Sequence, residues 1–486
     1  MRQQLWQRAS WVAAASLMLL ALQVLAHWVP PLQSPDELSH LIRVAGLADG
    51  QVRPTTEPNA STGNHFDIGL ATLAQVHVPV IKDRNPPVSE DAVLAAKSQR
   101  WTGRMIFGEA PGAAIYMPVI YAPAAVGLAI GQALNWTVMD SYHLARLSSQ
   151  LFCVTVMAIA AWIWLPPMLA WAVLLLPMSL FQMLSPVVDG PAHALTLLGL
   201  SLLMRLRMEP RAVWAWSTAA CLLVLVTARL HLLPLLLVPL WWAWRRPWAA
   251  DGADGVSGGD QARRTLVWAG ASSLAGVLLW TAWAASTVVD TRVTREVGTG
   301  AVAAHYLQHP QDVWAVFWRT LQDEHRPQFL LDSFIGNLGW LDTRLPDTAY
   351  PILWWGLAVI AILSLPWQGI WRGTVADRLV LAMCALASCL LAFMLMLVTW
   401  SPFPADLIEG VQGRYFIAPA LVLAYAAGVW LGPSDAAGHR ARTPAWALAW
   451  VLVLVALLTF AGLSMDYLAG TLQARYPAWA WGGLFR

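Results

Sequence analysis

Long apolar runs alternate with a few long polar stretches along this chain. The apolar segments lie at roughly 11–29, 113–134, 144–164, 167–184, 190–205, 213–228, 229–245, 266–288, 351–371, 378–400, 414–432 and 444–464. Runs such as WVAAASLMLLALQVLAHW (11–28) and LVLAMCALASCLLAFMLMLVTW (379–400) can span a bilayer, which takes about 20 apolar residues. The pattern predicts an all-α polytopic membrane protein, a helix bundle of about 11–13 transmembrane helices with outward-facing loops that carry amphipathic interfacial helices. The expected division is a retained first transmembrane helix (1–29), a first outer loop (30–112), a transmembrane core (113–288), a second large outer loop (289–350), C-terminal transmembrane helices (351–464) and a tail (465–486).

Charge orients this scheme, because Lys and Arg concentrate on cytoplasmic loops. Arg2 and Arg8, RLRMEPR (205–211), the Arg pairs at 245–246 and 263–264, Arg372 and HRAR (439–442) then lie inside, and 30–112, 289–350 and 401–413 outside. An outside 30–112 and an inside Arg205 need an even number of crossings between 135 and 205, where three segments are read. Either one of them is re-entrant, with candidate breaks at Pro166-Pro167 and SPVVDGP (185–191), or one helix is split into two in this reading.

Composition narrows the function. Only 12% of residues are charged, against roughly 25% in soluble domains. A net charge of +2 says little about partners, and no basic stripe points to nucleic acid; the four cysteines all sit in apolar segments, away from any disulfide framework. The longest inner loop, DGADGVSGGDQA (251–262), reads as a flexible tether, and neither a G-x-G-x-x-G nor a Walker motif occurs. Any chemistry belongs to the outward side, without a nucleotide-binding domain in this chain.

The first outer loop opens with SPDELSHL (34–41). Ser34 as N-cap, Pro35 at N1 and Glu37 at N3 make a capping box, and the helix runs to a stop at Gly50. Leu38, Leu41, Ile42 and Ala45 form an apolar stripe, which would lie on the outer membrane surface. Asp36, His40 and Arg43 share another face, presenting an acid, an imidazole and a guanidinium to one cleft. Capping accounts for Glu37 and only half accounts for Asp36, so Asp36 is the preferred catalytic acid and Glu37 the second.

Further polar groups interrupt apolar surroundings. In EGVQGRYF (409–416), Gly410 and Gly413 permit close backbone approach, and Arg414 can hold a phosphate bidentately, with Gln412 and Tyr415 beside it and Arg43 as a second cation. SFIGNLGWLDTRLP (333–346) joins Trp340, Asp342 and Arg344, an aromatic face with carboxylate and cation suited to a sugar. DVWAVFWRTLQ (312–322) reads as an interfacial amphipathic helix. Asp189 and His193, one turn apart, and Arg229 and His231 in ARLHLLP (228–234) are ionisable groups within membrane segments, costly and therefore functional candidates. Tyr116 belongs to YMPVIYAP (116–123), whose Tyr-Pro pairs suggest a kink at a segment's outer end.

Six stretches carry a resemblance: SPDELSHLIRVAGLADG, YMPVIYAPAAVGLAIG, YHLARL, LLPMSLFQMLSPVVDGPAHAL, SFIGNLGWLDTRLP and GVQGRYFIAPAL, in this order from residue 34 to about 421. Together they resemble the bacterial membrane family named domain of unknown function 2142. One stretch, TARLHLLPLLLVPL (227–240), departs from the family's Lys-Pro-type pattern. The family is similar in layout to the C-superfamily (GT-C) glycosyltransferases, which keep acidic residues just after the first membrane helix and use polyprenyl-phosphate sugars. The resemblance implies a catalytic base at Asp36 or Glu37, a polyprenyl-phosphate sugar donor, an envelope glycan or glycolipid acceptor, and a site facing outward from the cytoplasmic membrane. It requires no divalent metal and does not exclude one. The rival expectations are a lipid-linked glycan flippase or transporter, and an O-antigen ligase or polymerase.

Overall fold

A computed structural model describes residues 2–83, 88–245, 256–365 and 375–428, with Trp430, Gly462, Leu463, Asp466, Tyr467 and Gly470. The expected last segment (444–464, apart from Gly462 and Leu463), the inner-side HRAR (439–442) and Arg372, most of the tail, and residues 251–255 of the tether lie outside this set. The described residues are predominantly helical, as an all-α polytopic membrane protein requires. Among the described residues, three helices are each long and apolar enough to cross a membrane: 138–163, 260–287 and 375–399.

Helix α1 (Arg2–Trp28) leads through a mostly buried turn to α2 (Glu37–Ala48). α2 ends as expected at a Schellman turn: Gly50 (φ 81°) and Gln51 donate to the Leu47 and Gly46 carbonyls. Strand β1 (Gly63–Asp67), α3 (Ile68–Asp83) and α4 (Glu90–Ser98) follow, and β2 (Met105–Glu109) returns antiparallel to β1, with Gly63 opposite Glu109 and Asp67 opposite Met105. α2 does not lie apolar side down on a membrane surface. Its Leu41, Val44 and Ala45 are buried because β1 covers one side and the next helices the other.

The segment expected at 113–134 breaks into α5 (Pro111–Ala114), a 3₁₀ turn (Pro118–Tyr121) and α6 (Ala122–Ala133). Pro118 and Pro123 interrupt the run, and the 12 residues of α6 are too few for a hydrocarbon core of about 30 Å. Both of its ends belong to the first loop: Ala110 donates to Thr62, Arg100 to the Asn135 carbonyl at 2.7 Å, and Val138 to Gln99. The chain therefore dips and returns here, which resolves the parity at a place the sequence did not suggest.

Three passes through the bundle follow. α7 (Val138–Ile163), N-capped by Thr137, leaves the loop side, and α8 (Met168–Leu174) with α9 (Pro177–Met183) brings the chain back. Pro177 breaks that return into two short buried helices, and Ser185 arrives against Ser34 at 2.8 Å. α10 (Asp189–Met208) then descends to Arg207, which pairs with Asp377 at 2.8 Å at the far end.

α11 (Ala212–Ala228), a 3₁₀ stretch through Pro234, α12 (Leu237–Arg245) and α13 (Val256–Thr287) complete the first half. Residues 256–262, expected as tether, belong to α13; once a helix is nucleated, each added residue contributes a hydrogen bond. The second loop carries α14 (Thr299–Gln308), α15 (Pro310–Gln322), α16 (Arg326–Ile335) and a two-residue ribbon, β3 (Asn337–Leu338) with β4 (Thr343–Arg344). α17 (Ala349–Ser364), α18 (Val375–Thr399) and α19 (Ile417–Ala427) follow.

The three outer stretches join one another. Thr62 donates to the Val289 carbonyl at 2.9 Å, Arg326 to that of Ile408 at 2.7 Å, and the Trp340 indole to that of Leu32 at 3.2 Å. α15 is amphipathic as read, but its buried Val316 and Phe317 pack in a second apolar cluster with Phe393, Leu397 and Ile408, while Trp314 and Trp318 point outward.

Candidate functional site

Asp36 precedes the first turn of α2 and adopts a left-handed backbone (φ 62°), uncommon for a residue with a side chain. The capping box forms in one direction only. Glu37 accepts the Ser34 backbone N–H at 3.0 Å, but the Ser34 hydroxyl turns to Ser185, so the helix starts at Glu37 rather than Pro35. This start separates the two acids. Glu37 is fully buried, accepts the Tyr142 hydroxyl and lies 3.8 Å from Arg146. Arg146 in turn donates to the carbonyls of Ala26, Val29 and Pro30, tying the end of α1 to α7. Asp36 keeps a half-exposed side chain.

The Asp36 carboxylate meets Arg414, Nη2 to Oδ2, at 2.6 Å. Arg414 stands on the 3₁₀ turn Gly413–Phe416 that opens α19, and its Nε donates to Gln412 at 2.6 Å. Gly413 is the close approach expected of it: a Cβ there would sit 2.1 Å from the Leu330 carbonyl oxygen and 2.2 Å from the Phe334 nitrogen of α16. Behind Arg414 lies Asp189, at 3.5 Å from Nη1, and behind Asp189 lies Arg229, which pairs with its other oxygen. The row Asp36–Arg414–Asp189–Arg229 thus alternates in sign, which is what makes buried charge tolerable.

Aromatic and imidazole groups wall this row. Tyr116 stacks on His40 at 6.2 Å and lies under the Arg229 guanidinium at 5.7 Å, while Tyr121 exchanges a 2.7 Å hydrogen bond with His40 Nδ1. Arg414 passes over the Tyr415 ring at 5.5 Å, and His231 reaches the Tyr415 backbone. Burial drives His40 down to about 4, so it is neutral at pH 7. For Asp36, burial pushes the pKa up, but Arg414 and then His40 outweigh it and hold the carboxyl below its ordinary value.

The structure therefore brings Asp36, His40, Tyr116, Asp189, Arg229, His231, Gln412, Arg414 and Tyr415 together, and leaves five candidates elsewhere: Glu37, held by Tyr142 and Arg146, and Arg43, Trp340, Asp342 and Arg344. Arg43 is fully buried and does not share the cleft: its guanidinium donates to the Gln51 and Val52 carbonyls at 3.1 and 2.7 Å, because the chain after α2 folds back over it. Arg344 pairs with Asp332 at 2.8 Å, and Asp342 accepts the Trp340 backbone N–H at 3.2 Å within its own turn. Trp340 touches the neck of the first loop through Leu32.

Four site neighbours escaped the sequence reading. Tyr121 lay in a stretch read only as a kink, and Tyr142 and Arg146 occupy one face of YHLARL, four residues apart. Arg292, on the second loop, acts electrostatically on Asp36 and Tyr116 and lies 3.3 Å from where a Cβ on Gly112 would stand. No local pattern marks it, since its proximity comes from the joining of the loops.

No curated protein and no solved structure matches this chain. The profile of a family described as "Predicted membrane protein (DUF2142)" matches residues 18–424. That span runs from the second half of α1 through most of α19 and holds every residue of the charged row, and the chain belongs to this DUF2142 family of predicted membrane proteins.

Proposed function

We propose that this protein is an integral-membrane glycosyltransferase of the GT-C type. It takes a sugar from a polyprenyl-phosphate donor and passes it to an envelope glycan or lipid acceptor on the outer face of the cytoplasmic membrane. One observation carries the reading: a half-exposed carboxylate, Asp36, held at 2.6 Å by a buried arginine, Arg414, where the polar loops meet the apolar bundle. A base for a hydroxyl and a cation for a phosphate are what such a transfer needs in one place.

In this scheme the acceptor oxygen attacks the anomeric carbon and inverts it. Asp36 removes the hydroxyl proton, and the bond from the anomeric carbon to the phosphate oxygen breaks, its electron pair leaving with the polyprenyl phosphate. Arg414 stabilises the charge that develops there. Asp189 and Arg229 fix Arg414 from behind, and neutral His40 backs Asp36. A guanidinium can supply the cation, so the scheme requires no divalent metal.

The test is transfer by the purified full chain in lipid nanodiscs, offered a panel of polyprenyl-monophosphate sugars with envelope-glycan acceptors. Asp36→Asn should fold and lose on the order of 10²–10⁴-fold in rate, as expected when a general base is removed. Transfer that survives in Asp36→Asn removes the base from this residue. Movement of the intact lipid-linked sugar across the bilayer without transfer establishes the flippase instead.

A further inference from the structure

Away from the charged row, the elbow between α14 and α15 gathers two imidazoles and a carboxylate. His305 lies in the last turn of α14, His309 caps α15, and Asp312 lies in the first turn of α15, with Pro310 fixing the bend between them. Their ligand atoms all fall within 4.8 Å of one another, and His305 Nε2 is 3.2 Å from Asp312 Oδ2. We infer that His305, His309 and Asp312 form a binding site for a divalent transition metal, zinc being the first candidate for an N,N,O donor set.

The geometry beyond mere proximity supports this. His309 Nδ1 lies 3.0 Å from the His305 carbonyl oxygen. A carbonyl only accepts, so Nδ1 carries the proton and the Nε2 lone pair is left free. A hydrogen bond from the far ring nitrogen to a carbonyl orients metal-binding imidazoles in many proteins. The His305 and His309 rings stack at 4.5 Å with 23° between their planes, and the edges of Tyr306 and Phe403 hold the His305 ring in place. Around a tetrahedral zinc with bonds of about 2.0–2.1 Å, neighbouring donor atoms stand roughly 3.3 Å apart. The His305–Asp312 pair is already at that spacing, and His309 and Asp312 are exposed enough to close the remainder by side-chain rotation.

Three protein donors leave a coordination position for water. The metal would pin the α14–α15 elbow to Phe403, in the loop that leads to Arg414, and so stiffen the second outer loop. An ordinary ion pair between His305 and Asp312 would give the same approach without binding metal, and the experiment separates the two.

The full chain, purified in detergent through a tag without histidines and stripped by chelator, is dialysed against about micromolar free zinc at pH 7.5. Wild type should retain about one equivalent of zinc more than His309→Ala and Asp312→Ala, and zinc should raise its unfolding temperature but not theirs. Equal zinc content in wild type and both variants, or no retention by wild type, overturns the site. His309 is exposed, so its replacement tests binding without emptying the core.

Discussion

Asp36 and Arg414 are 378 positions apart in the chain and 2.6 Å apart in space. Residues just after the first helix and just before α19 thus share one site.

Glu37→Ala should destabilise the fold far more than Asp36→Ala. The first leaves Arg146 and Tyr142 buried without their carboxylate partner, a loss on the order of 3–5 kcal/mol, whereas the second removes half of a partly exposed pair. Thermal unfolding of the two variants in the same detergent checks this. Equal losses would mean that Glu37 is not the anchor of α2.

Arg414→Lys and Arg43→Lys should diverge in kind. A lysine at 414 loses the fork that reaches Asp36, Asp189 and Gln412 at once, so KM for a polyprenyl-phosphate donor should rise. A lysine at 43 loses bonds to two carbonyls and should lower stability by about 1–3 kcal/mol while leaving KM unchanged. A donor titration alongside unfolding reads both.

Gly413→Ala should cost more than a buried methyl usually gains, because the new Cβ meets backbone atoms of α16 at 2.1 and 2.2 Å. Gly356→Ala, where nothing lies within 4 Å, should be neutral or slightly stabilising in its helix. A lower unfolding temperature for Gly413→Ala alone is the expected result.

The pH dependence has a definite sign. His40 is neutral in the fold, with its pKa lowered to about 4 from 6.5, so the unfolded chain binds the proton more readily. Stability should be full above about pH 6.5 and fall as the pH drops towards 4, by on the order of 3 kcal/mol from this residue. The Asp36 carboxylate, lowered by Arg414 and His40 against the effect of burial, adds its own loss only at lower pH. His40→Gln should flatten the slope between pH 6.5 and 4 relative to wild type, and an unchanged slope would show that His40 does not titrate this way.

The local pattern of α2 predicted its stop at Gly50, where a left-handed turn suits glycine, but its helical spacing did not foresee that Asp36 would stand just before the helix on a left-handed backbone. It misplaced Arg43, since periodicity says which face a side chain leaves from but not which loop folds back to meet it. The anchor of Glu37 was hidden for the same reason: Tyr142 lies 105 residues away on another helix. The stretch at 113–134 read as a crossing because its hydropathy is high, and only the hydrogen bonds of Arg100 and Val138 reveal that both its ends belong to one side.

The alternating row has a consequence for how a ligand enters. With a carboxylate on either side, Arg414 already has its charge paired, so it offers little pull to an arriving anion. A phosphate that binds there must take the place of Asp36, and the displaced carboxylate loses the cation that kept it acidic. On the proposed reading, arrival of the donor is itself what turns Asp36 into a stronger base.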